Sequence, residues 1–240
     1  MLKRIKKGVI LAAGDGDRLG TLTDTCPKVL LSVDGEGPLI RYPIEALVAS
    51  GIEQIAIVVG YLADSIKELL GDGRRFGAEL HYISNLDYLG GLAVSVHKVK
   101  NWANGEPVVL CMGDHIIDKE LVRRLLYHET AEDTLCVDYT PSQSINLDEA
   151  TRVALDNDGC IKDIGKNLTR WDAVDTGVFL LTPHFFDILD ELINRDGNGV
   201  EMNDAIRFFI SRGNCFHTRD VSGCFWMDVD TEEDLKVARS

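Results

Sequence analysis

Short apolar runs alternate along the chain with amphipathic segments. One of the latter is KELVRRLLYHE at 119–129, where Leu121, Leu125 and Leu126 recur at helical spacing with charged residues opposite. The alternation runs through GVILAA (8–13), PIEALVASG (43–51), IAIVVG (55–60), SIKELLG (65–71), ELHYIS (79–84), GLAVSVHKVKNW (91–102) and PVVLCMGD (107–114). Because strands that are apolar throughout are buried on both faces, the pattern predicts an α/β fold with a three-layer, mostly parallel sheet.

The pattern changes between about 134 and 182. Strand-like stretches follow one another there without a helical pattern, and Asn157-Asp158-Gly159 predicts a hairpin turn. The stretches are TLCVDYT, ATRVALD, CIKDIGK and DAVDTGVFLLT. Since no linker sets them apart, we predict an antiparallel β extension of the sheet within a single domain over residues 1–240.

The remainder of the chain returns to helical patterns. We predict helices at about 184–195 and 201–212, a strand near 214–219, and a closing helix, TEEDLKVAR. Thr231 is the expected N-cap of that helix, and Asp234 stands in the capping-box position.

Composition and charge exclude several classes of protein. A chain of 240 residues that is 45% hydrophobic and 27% charged falls in the globular range. The formal net charge of −14 opposes binding to DNA, RNA or anionic lipid, so no nucleic-acid partner is expected. No apolar window approaches the roughly 18 residues that a spanning helix needs. We therefore expect a cytoplasmic protein.

The cysteines lack the spacing of a disulfide framework or of a metal site. The six residues include no C-x-x-C pair, and no histidine stands at ligand spacing from a cysteine. They are Cys26, Cys111, Cys136, Cys160, Cys215 and Cys224. We expect all six to be reduced thiols and expect no structural zinc site.

A glycine-rich turn, LAAGDGDRLG at 11–20, follows the first predicted strand. It departs from the dinucleotide fingerprint because Leu19 replaces the third glycine, which disfavours a dehydrogenase, and it lacks the G-K-[ST] of a P-loop. The backbone N–H groups of such a turn form a nest for anionic oxygens. With Arg18 inside the turn and Lys28 after it, the nest suits a polyphosphate, although a plain strand-to-helix turn is the alternative interpretation.

Longer segments carry a resemblance. The run VILAAGDGDRLG…CPKVLLSVDGEGPLI resembles the nucleotide-binding signature of the sugar nucleotidyltransferase superfamily. Other similar segments follow in order: GGLAVS (90–95), VVLCMGDH (108–115), VDTGVFLLTP (174–183) and FWMDVDTEEDL (225–235). GDH at 113–115, IGKNLTRWDAVDTGVF at 164–179 and the W-x-D-V-D-T-x-E-D ending look most like CTP:inositol-1-phosphate cytidylyltransferases.

The resemblance implies a Rossmann-like fold of the nucleotide-diphospho-sugar transferase type. It also implies transfer of CMP from CTP to inositol 1-phosphate, giving CDP-inositol and pyrophosphate. Such a reaction depends on positioning and on neutralising negative charge. Arg18 then suits the β and γ phosphates, because its guanidinium is a planar fork, and Lys28 suits the α-phosphate. Asp114 with Asp228 or Asp230 would hold one Mg²⁺, and the resemblance favours Asp230 as the direct ligand.

The resemblance also implies substrate contacts. Nucleotide-binding residues are expected to be Leu11, Ala12, Ala13, Gly14, Asp15, Gly16, Asn85, Gly91 and Leu92. Acceptor-binding residues are expected to be Lys166, Asp175, Thr176 and Glu201, with the β-rich insertion at 134–182 supplying most of them. Glu201 also suits the start of the predicted helix at 201–212, and both interpretations stay open.

Other functions stay open at this point. One is another sugar-1-phosphate or phosphocholine nucleotidyltransferase of the same superfamily, with a different base or acceptor. Another is a nucleotide-binding regulatory module without catalysis. The expected substrates are CTP and a phosphorylated polyol or sugar. The resemblance also implies a membrane CDP-alcohol phosphotransferase, often fused to such enzymes, as a partner acting next.

Overall fold

The computed structural model describes residues 5–33, 35, 37–127, 131–142 and 145–239. The strands in this part are β1 (Lys7–Ala12), β2 (Gln54–Val59), β3 (Glu79–Ser84), β4 (Val108–Met112), β5 (His115–Ile117), β6 (Thr134–Asp138), β7 (Arg152–Leu155), β8 (Ile161–Gly165), β9 (Ala173–Leu181), β10 (His217–Asp220) and β11 (Trp226–Asp228). The helices are α1 (Arg41–Ala49), α2 (Ala63–Leu70), α3 (Leu92–His97), α4 (Lys100–Ala103), α5 (Lys119–Leu126), α6 (Pro183–Asp196), α7 (Met202–Ser211) and α8 (Glu232–Ala238). Positions 34 and 36 of the resembling run and 128–129 of the predicted helix lie outside the described residues.

One large sheet organises the described part of the chain. Its strands follow the order β10-β6-β9-β4-β1-β2-β3, and β9 runs antiparallel to its neighbours β4 and β6 while the other pairs are parallel. The order reverses at β1, which lies between β2 and β4. Ligands bind beyond the carboxyl ends of strands at such a switch point. The candidate chemistry is therefore expected just after β1 and β4.

Helices cover both faces of this sheet, as the alternation of buried side chains shows. Val9 and Leu11 pack in one apolar cluster with residues of α3, α6 and α7. Ile10 and Ala12 pack in a second cluster with residues of α1, α2 and α5. Successive residues of one strand thus enter opposite cores, which explains why β1 is apolar from Val9 to Ala12. The three-layer, mostly parallel α/β fold predicted from the sequence is confirmed.

The β-rich stretch divides between the sheet and a hairpin. β6 and β9 are interior strands of the main sheet, whereas β7 and β8 pair with each other around the predicted turn at 157–159 and join the sheet through β9. The segment is therefore an extension continuous with the sheet. The predicted closing helix is confirmed as α8, which begins after Thr231 with a complete Thr231–Asp234 capping box.

The cysteine prediction is wrong for two residues. Cys160 and Cys215 form a disulfide with their Cα atoms 5.5 Å apart, although 55 residues separate them. No spacing along the chain indicates this pairing, because it depends on the β7–β8 hairpin folding back against the segment around the start of β10. The other four cysteines are free thiols.

Within the residue ranges given above, no helix combines the length and the apolar character needed to span a bilayer.

Candidate active site

A glycine turn follows β1 at the switch point of the sheet. Gly16 has φ 69° and Gly20 has φ 54°, in the region that favours glycine, and a Cβ on Gly16 would lie 2.8 Å from the Cβ of Lys28. Leu19 is fully buried and fixes the turn from within. The residue that breaks the dinucleotide fingerprint thus anchors the loop.

The turn is held by residues that the sequence analysis did not single out. The hydroxyl of Thr23 donates to the carbonyls of Gly16 and Gly20, at 3.1 and 3.0 Å. The Tyr61 hydroxyl donates to the carbonyls of Thr23 and Asp24, and the Tyr61 N–H donates to the Ala13 carbonyl. Tyr61 follows a neighbouring strand, so its role is visible only once the strand order is known.

Asp114 follows β4, the next strand of the switch point. Gly113 precedes it, and a Cβ there would lie 2.6 Å from the Leu11 carbonyl oxygen, so only glycine lets β4 pass β1 this closely. The Gly113 N–H donates to that same carbonyl at 2.9 Å. Asp114 is therefore held beside the end of β1, as its sequence position predicted.

Two aspartates from the far end of the chain reach the same place. β11 pairs antiparallel with β5, which sets Asp228 opposite His115, and the Val229 N–H donates to the Asp114 carbonyl at 3.2 Å. The N–H of Asp230 donates to Asp234, the capping-box residue of α8. A short ribbon and a helix cap thus deliver Asp230, more than a hundred residues after Asp114, to the glycine turn.

An ion cluster forms where these elements meet. Lys28 Nζ lies 2.6 Å from Asp114 Oδ2 and 2.5 Å from Asp230 Oδ1, and the lysine side chain is only 9% exposed. Arg18 lies 2.7 Å from Asp230 Oδ2 with about half of its side chain exposed. The structure therefore brings Arg18, Lys28, Asp114 and Asp230 into one cluster, as the sequence analysis required.

Charge pairing outweighs burial in this cluster. Burial alone would raise the pKa of Asp114, but the charges of Lys28 and, to a lesser extent, His115 lower that pKa to about 2. Burial likewise disfavours the Lys28 ammonium, yet Asp114 and Asp230 raise the pKa of Lys28. Both partners are therefore charged at neutral pH.

A cavity of about 220 Å³ opens above the cluster. It is lined by Leu11, Ala12, Gly14, Asp15, Gly16, Asp17, Arg18, Lys28, Val29, Asp114 and Asp230. Its volume lies below the roughly 300 Å³ at which pockets for whole drug-sized ligands begin. The cavity suits the phosphate portion of a nucleotide, with the nucleoside lying outside it.

Asp228 adds negative charge beside the cluster. Burial, reinforced by the charges of Asp230 and Asp114 and opposed by His115, raises the pKa of Asp228. Within the described residues, no lysine or arginine forms an ion pair with Asp228. Asp114, Asp228 and Asp230 thus bring more negative charge to this region than Lys28 and Arg18 neutralise. Hard oxygen ligands of this kind fit a divalent cation such as Mg²⁺.

His115 lies on the far side of Asp114, against β9. Gly177 has φ 75°, and a Cβ there would lie 2.3 Å from the His115 ring, so the glycine provides the space for the imidazole. The Nδ1 atom of His115 is buried without a hydrogen-bond partner among the described residues. Asp175, two residues before Gly177, accepts the Gly177 N–H at 2.7 Å. The ring thus separates the Lys28 cluster from Asp175.

Burial raises the pKa of Asp175 to about 6, against 3.8 for an ordinary aspartate, with the Gly177 N–H and His115 opposing the rise. In this case the folded protein binds the proton more tightly than the unfolded chain does, so the contribution of Asp175 to stability falls as pH rises from about 4 to 6. This decrease in the free energy of unfolding corresponds to roughly 3 kcal/mol, and we expect it to be absent from Asp175→Asn.

Urea unfolding at pH 4 and pH 7.5 measures the effect. The stability of Asp175→Asn relative to wild type should improve by about 2 to 3 kcal/mol between the two pH values. Asp158→Asn, an exposed position in the β7–β8 turn, is the control and should show no such change. An equal pH response of Asp175→Asn and wild type would contradict the burial argument.

Three predicted nucleotide-binding residues, Asn85, Gly91 and Leu92, do not line the cavity and lie before or at the start of α3. Asn85 is 1% exposed, donates to the Ser95 hydroxyl at 2.9 Å and accepts the Asp87 N–H at 3.0 Å. Its side chain therefore shapes the turn before α3 and is almost completely buried. Gly91 and Leu92 begin α3 and lie against the segment before α7.

Glu201 connects this turn to α7. Its carboxylate accepts the Leu92 N–H at 3.1 Å and takes part in a capping box with Asp204. Of the two interpretations left open by the sequence, the helix-start role is thus observed. The same carboxylate also holds the turn that carries Gly91.

Thr176 and Lys166 are two further residues that were predicted to bind the acceptor. The Thr176 side chain is fully buried, and its hydroxyl donates to the Cys136 carbonyl at 2.9 Å, so it exposes no atom to a substrate. The predicted contact through that hydroxyl is therefore corrected. Lys166 is half exposed at the end of the β7–β8 hairpin and pairs with Glu149 at 3.1 Å. Neither residue lines the cavity.

Known proteins are similar to this chain in sequence. The family model described as nucleotidyl transferase matches residues 7–239. A protein of Aquifex aeolicus (strain VF5) named "Bifunctional IPC transferase and DIPP synthase" is 34% identical over 98% of this chain and 51% of its own length. A protein of the same name from Rubrobacter xylanophilus is 34% identical over 95% of this chain and 50% of its own length. The chain thus spans about half the length of these relatives.

A solved structure shares the fold. The inositol-1-phosphate CTP transferase from T. maritima superposes with a TM-score of 0.87 at 24% sequence identity, covering 99% of this chain and 95% of that one. At this identity the likeness establishes the architecture, and it agrees with the fold type that the sequence resemblance implied.

Proposed function

Because the chain belongs to the nucleotidyl transferase family, we propose that it transfers CMP from CTP to inositol 1-phosphate, giving CDP-inositol and pyrophosphate. The observation that carries the proposal is the Lys28 ammonium, held between Asp114 and Asp230 at the mouth of the glycine turn. The name of the T. maritima protein and those of the Aquifex and Rubrobacter relatives support this choice of reaction within the family.

The cations are arranged for a phosphate chain. An ammonium carries three donor protons, and Asp114 and Asp230 take two of those on Lys28, which leaves one for an α-phosphate oxygen. Arg18 pairs with Asp230 through one guanidinium nitrogen, and about half of its side chain is exposed. The other guanidinium N–H groups can therefore donate to the β and γ phosphates. Backbone N–H groups of the turn at 14–16 complete the nest. In this arrangement the α-phosphorus is held beside the buried lysine.

We assign Mg²⁺ to Asp114 and Asp230, with Asp228 beside them. The bound ion would neutralise phosphate charge and polarise the α-phosphoryl group. Lys28 and Arg18 both form ion pairs with Asp230. Positive and negative side chains therefore alternate along the cavity. Such an array lets two anionic reactants approach each other.

The acceptor is proposed to lie on the His115 side of the cluster. Asp175 and His115 form that side together with β9, and Lys166 marks the open end of the β7–β8 hairpin. A phosphate oxygen of inositol 1-phosphate attacks the α-phosphorus from there, and the bond to the pyrophosphate oxygen breaks. The attacking phosphate is already anionic at neutral pH, so its attack requires no protein base. In this scheme residues 134–182 form the acceptor side of a single domain.

The turn at Gly91 is proposed to bind the base. Its N–H donates to the Asn198 carbonyl at 2.9 Å, and a Cβ on Gly91 would lie 2.1 Å from the Val200 oxygen. We therefore expect Gly91→Ala to displace the turn and to raise the KM for CTP at least about tenfold, the effect of roughly 1.4 kcal/mol.

Steady-state kinetics with varied CTP measures this change. Gly199→Ala is the matched control, because a Cβ there would meet nothing within 4 Å, and its KM should stay within about twofold of wild type. An unchanged KM in Gly91→Ala would remove the turn from the base site.

A pyrophosphate-release assay tests the function itself. The protein is incubated with Mg²⁺, one of CTP, UTP, dTTP, GTP or ATP, and one of inositol 1-phosphate, a sugar 1-phosphate or phosphocholine. We expect release with CTP and inositol 1-phosphate to exceed every other combination. Release with another pair would instead identify a different sugar-phosphate or phosphocholine nucleotidyltransferase. Nucleotide binding without release would favour the regulatory module.

We assign the reaction to the cytoplasm, where CTP is available. A CDP-activated polyol is a substrate for enzymes that transfer an alcohol phosphate, so we propose a membrane CDP-alcohol phosphotransferase as the partner that acts next. The greater length of the Aquifex and Rubrobacter relatives, of which this chain covers about half, leaves room for such a unit there.

A further inference from the structure

A second cluster of ligand-type side chains lies away from the cavity. Cys160 precedes β8, while Cys215 and His217 lie before and at the start of β10. One ligand atom from each of the three residues lies within 4.8 Å of the others. No ligand spacing of this kind exists along the chain, so the sequence predicts no structural zinc site. The fold creates the grouping instead.

The histidine is oriented toward the sulfurs. Its Nδ1 atom lies 3.4 Å from Cys215 Sγ, and its Nε2 atom faces Glu132 Oε2 at 3.7 Å. Zn–S and Zn–N bonds of about 2.3 and 2.0–2.1 Å give a sulfur-to-nitrogen edge of about 3.5 Å in a tetrahedral site. A metal-binding imidazole is usually oriented by a carboxylate at its other nitrogen. The Cys215–His217–Glu132 arrangement has both features.

Contacts other than the disulfide hold the two backbone segments together. The Ile161 N–H donates to the Phe216 carbonyl at 2.8 Å, and the Thr218 hydroxyl donates to the Gly159 carbonyl at 3.0 Å. The Phe216 ring is fully buried against Phe185 and Phe209. The three ligand residues therefore stay neighbours when the sulfur–sulfur bond is broken.

We propose that the Cys160–Cys215 disulfide is the oxidised form of a zinc site made by Cys160, Cys215 and His217. A thiol or phosphine reductant supplies two electrons, and with two protons the disulfide becomes two thiols. Zn²⁺ then displaces both thiol protons and binds the two sulfurs and His217 Nδ1. Water takes the fourth position. Soft thiolates with an imidazole select Zn²⁺ over Mg²⁺, so this site is chemically separate from the aspartate cluster. The proposal does not depend on the proposed function.

Thiol counting and cobalt binding test the two states. Denatured, unreduced protein should yield four reactive thiols, and protein reduced with a phosphine should yield six. The phosphine is converted to its oxide with oxygen from water and is then removed under anaerobic conditions. Co²⁺ serves as the spectroscopic probe. We expect the reduced protein to bind one Co²⁺ with a thiolate-to-metal absorption band that Zn²⁺ abolishes, and the oxidised protein to show none.

Variants assign the band to these residues. Cys215→Ser and His217→Gln should each weaken Co²⁺ binding at least tenfold. Glu132→Gln, which removes the charge facing His217 Nε2, should weaken it by about ten- to a hundredfold. Cys224→Ser removes a free, partly buried thiol elsewhere and should bind Co²⁺ as wild type does.

Three results would overturn the proposal. One is six thiols before reduction, the second is a folded, reduced protein without the band, and the third is a band that survives in both Cys215→Ser and His217→Gln.

Discussion

Replacing Lys28 with alanine is expected to lower kcat at least about a hundredfold, the usual result of removing one donor that stabilises a transition state. The expectation rests on geometry, since the ammonium is nearly enclosed and retains one proton for the α-phosphate after pairing with Asp114 and Asp230. The measurement is pyrophosphate release at saturating CTP and inositol 1-phosphate.

Controls separate catalysis from folding in this case. Removing Lys28 leaves Asp114 without its lysine partner and Asp230 paired with Arg18 alone, so a lower Tm is also expected. The assay should therefore be run well below the Tm of the variant. Lys6→Ala removes an exposed lysine paired with Glu53 and should leave kcat unchanged. A folded Lys28→Ala protein with kcat within threefold of wild type would contradict a role at the α-phosphate.

The second large effect concerns Asp114. Asp114→Asn should lower kcat/KM by about a hundred- to a thousandfold, corresponding to roughly 3 to 4 kcal/mol, because one charged ligand of the proposed Mg²⁺ is lost. Lys28 keeps Asp230 as a partner in this variant, so the loss is not explained by an unpaired lysine. A chelator should abolish the activity of the wild-type protein.

The dependence on Mg²⁺ concentration distinguishes the two variants. Asp114→Asn should require at least about tenfold more Mg²⁺ for half-maximal rate, whereas Lys28→Ala should keep the wild-type requirement. Asp64→Asn, a fully exposed control, should match wild type in both rate and Mg²⁺ requirement. An unaltered Mg²⁺ requirement in Asp114→Asn would move the metal away from this carboxylate.

Much of the ion cluster was predictable because several of its residues follow buried strands. The glycine turn comes directly after β1 and Asp114 directly after β4, and parallel strands that neighbour each other end at the same edge. Their convergence thus follows from local sequence and fold class. Asp230 is different, since it reaches the site through the β5–β11 ribbon, and only the resemblance of its segment pointed to it.

The errors come from contacts between segments distant in sequence. Cys160 and Cys215 meet because the hairpin returns to β10, and no spacing along the chain reveals it. Thr176 lies on β9, an interior strand of the sheet, and its buried hydroxyl donates to the Cys136 carbonyl. Side-chain direction on an interior strand depends on register, which the apolar pattern of that strand does not reveal.

The dependence of the cluster on the β5–β11 ribbon has a consequence for biosynthesis. The ribosome makes the glycine turn and Lys28 early, but their carboxylate partner Asp230 follows some two hundred residues later. Until Asp230 has been translated and has docked, Lys28 lacks one of the two carboxylates that it pairs with in the folded protein. Under the proposed function, a growing chain that ends before Asp230 therefore has an incomplete site and is expected not to turn over CTP.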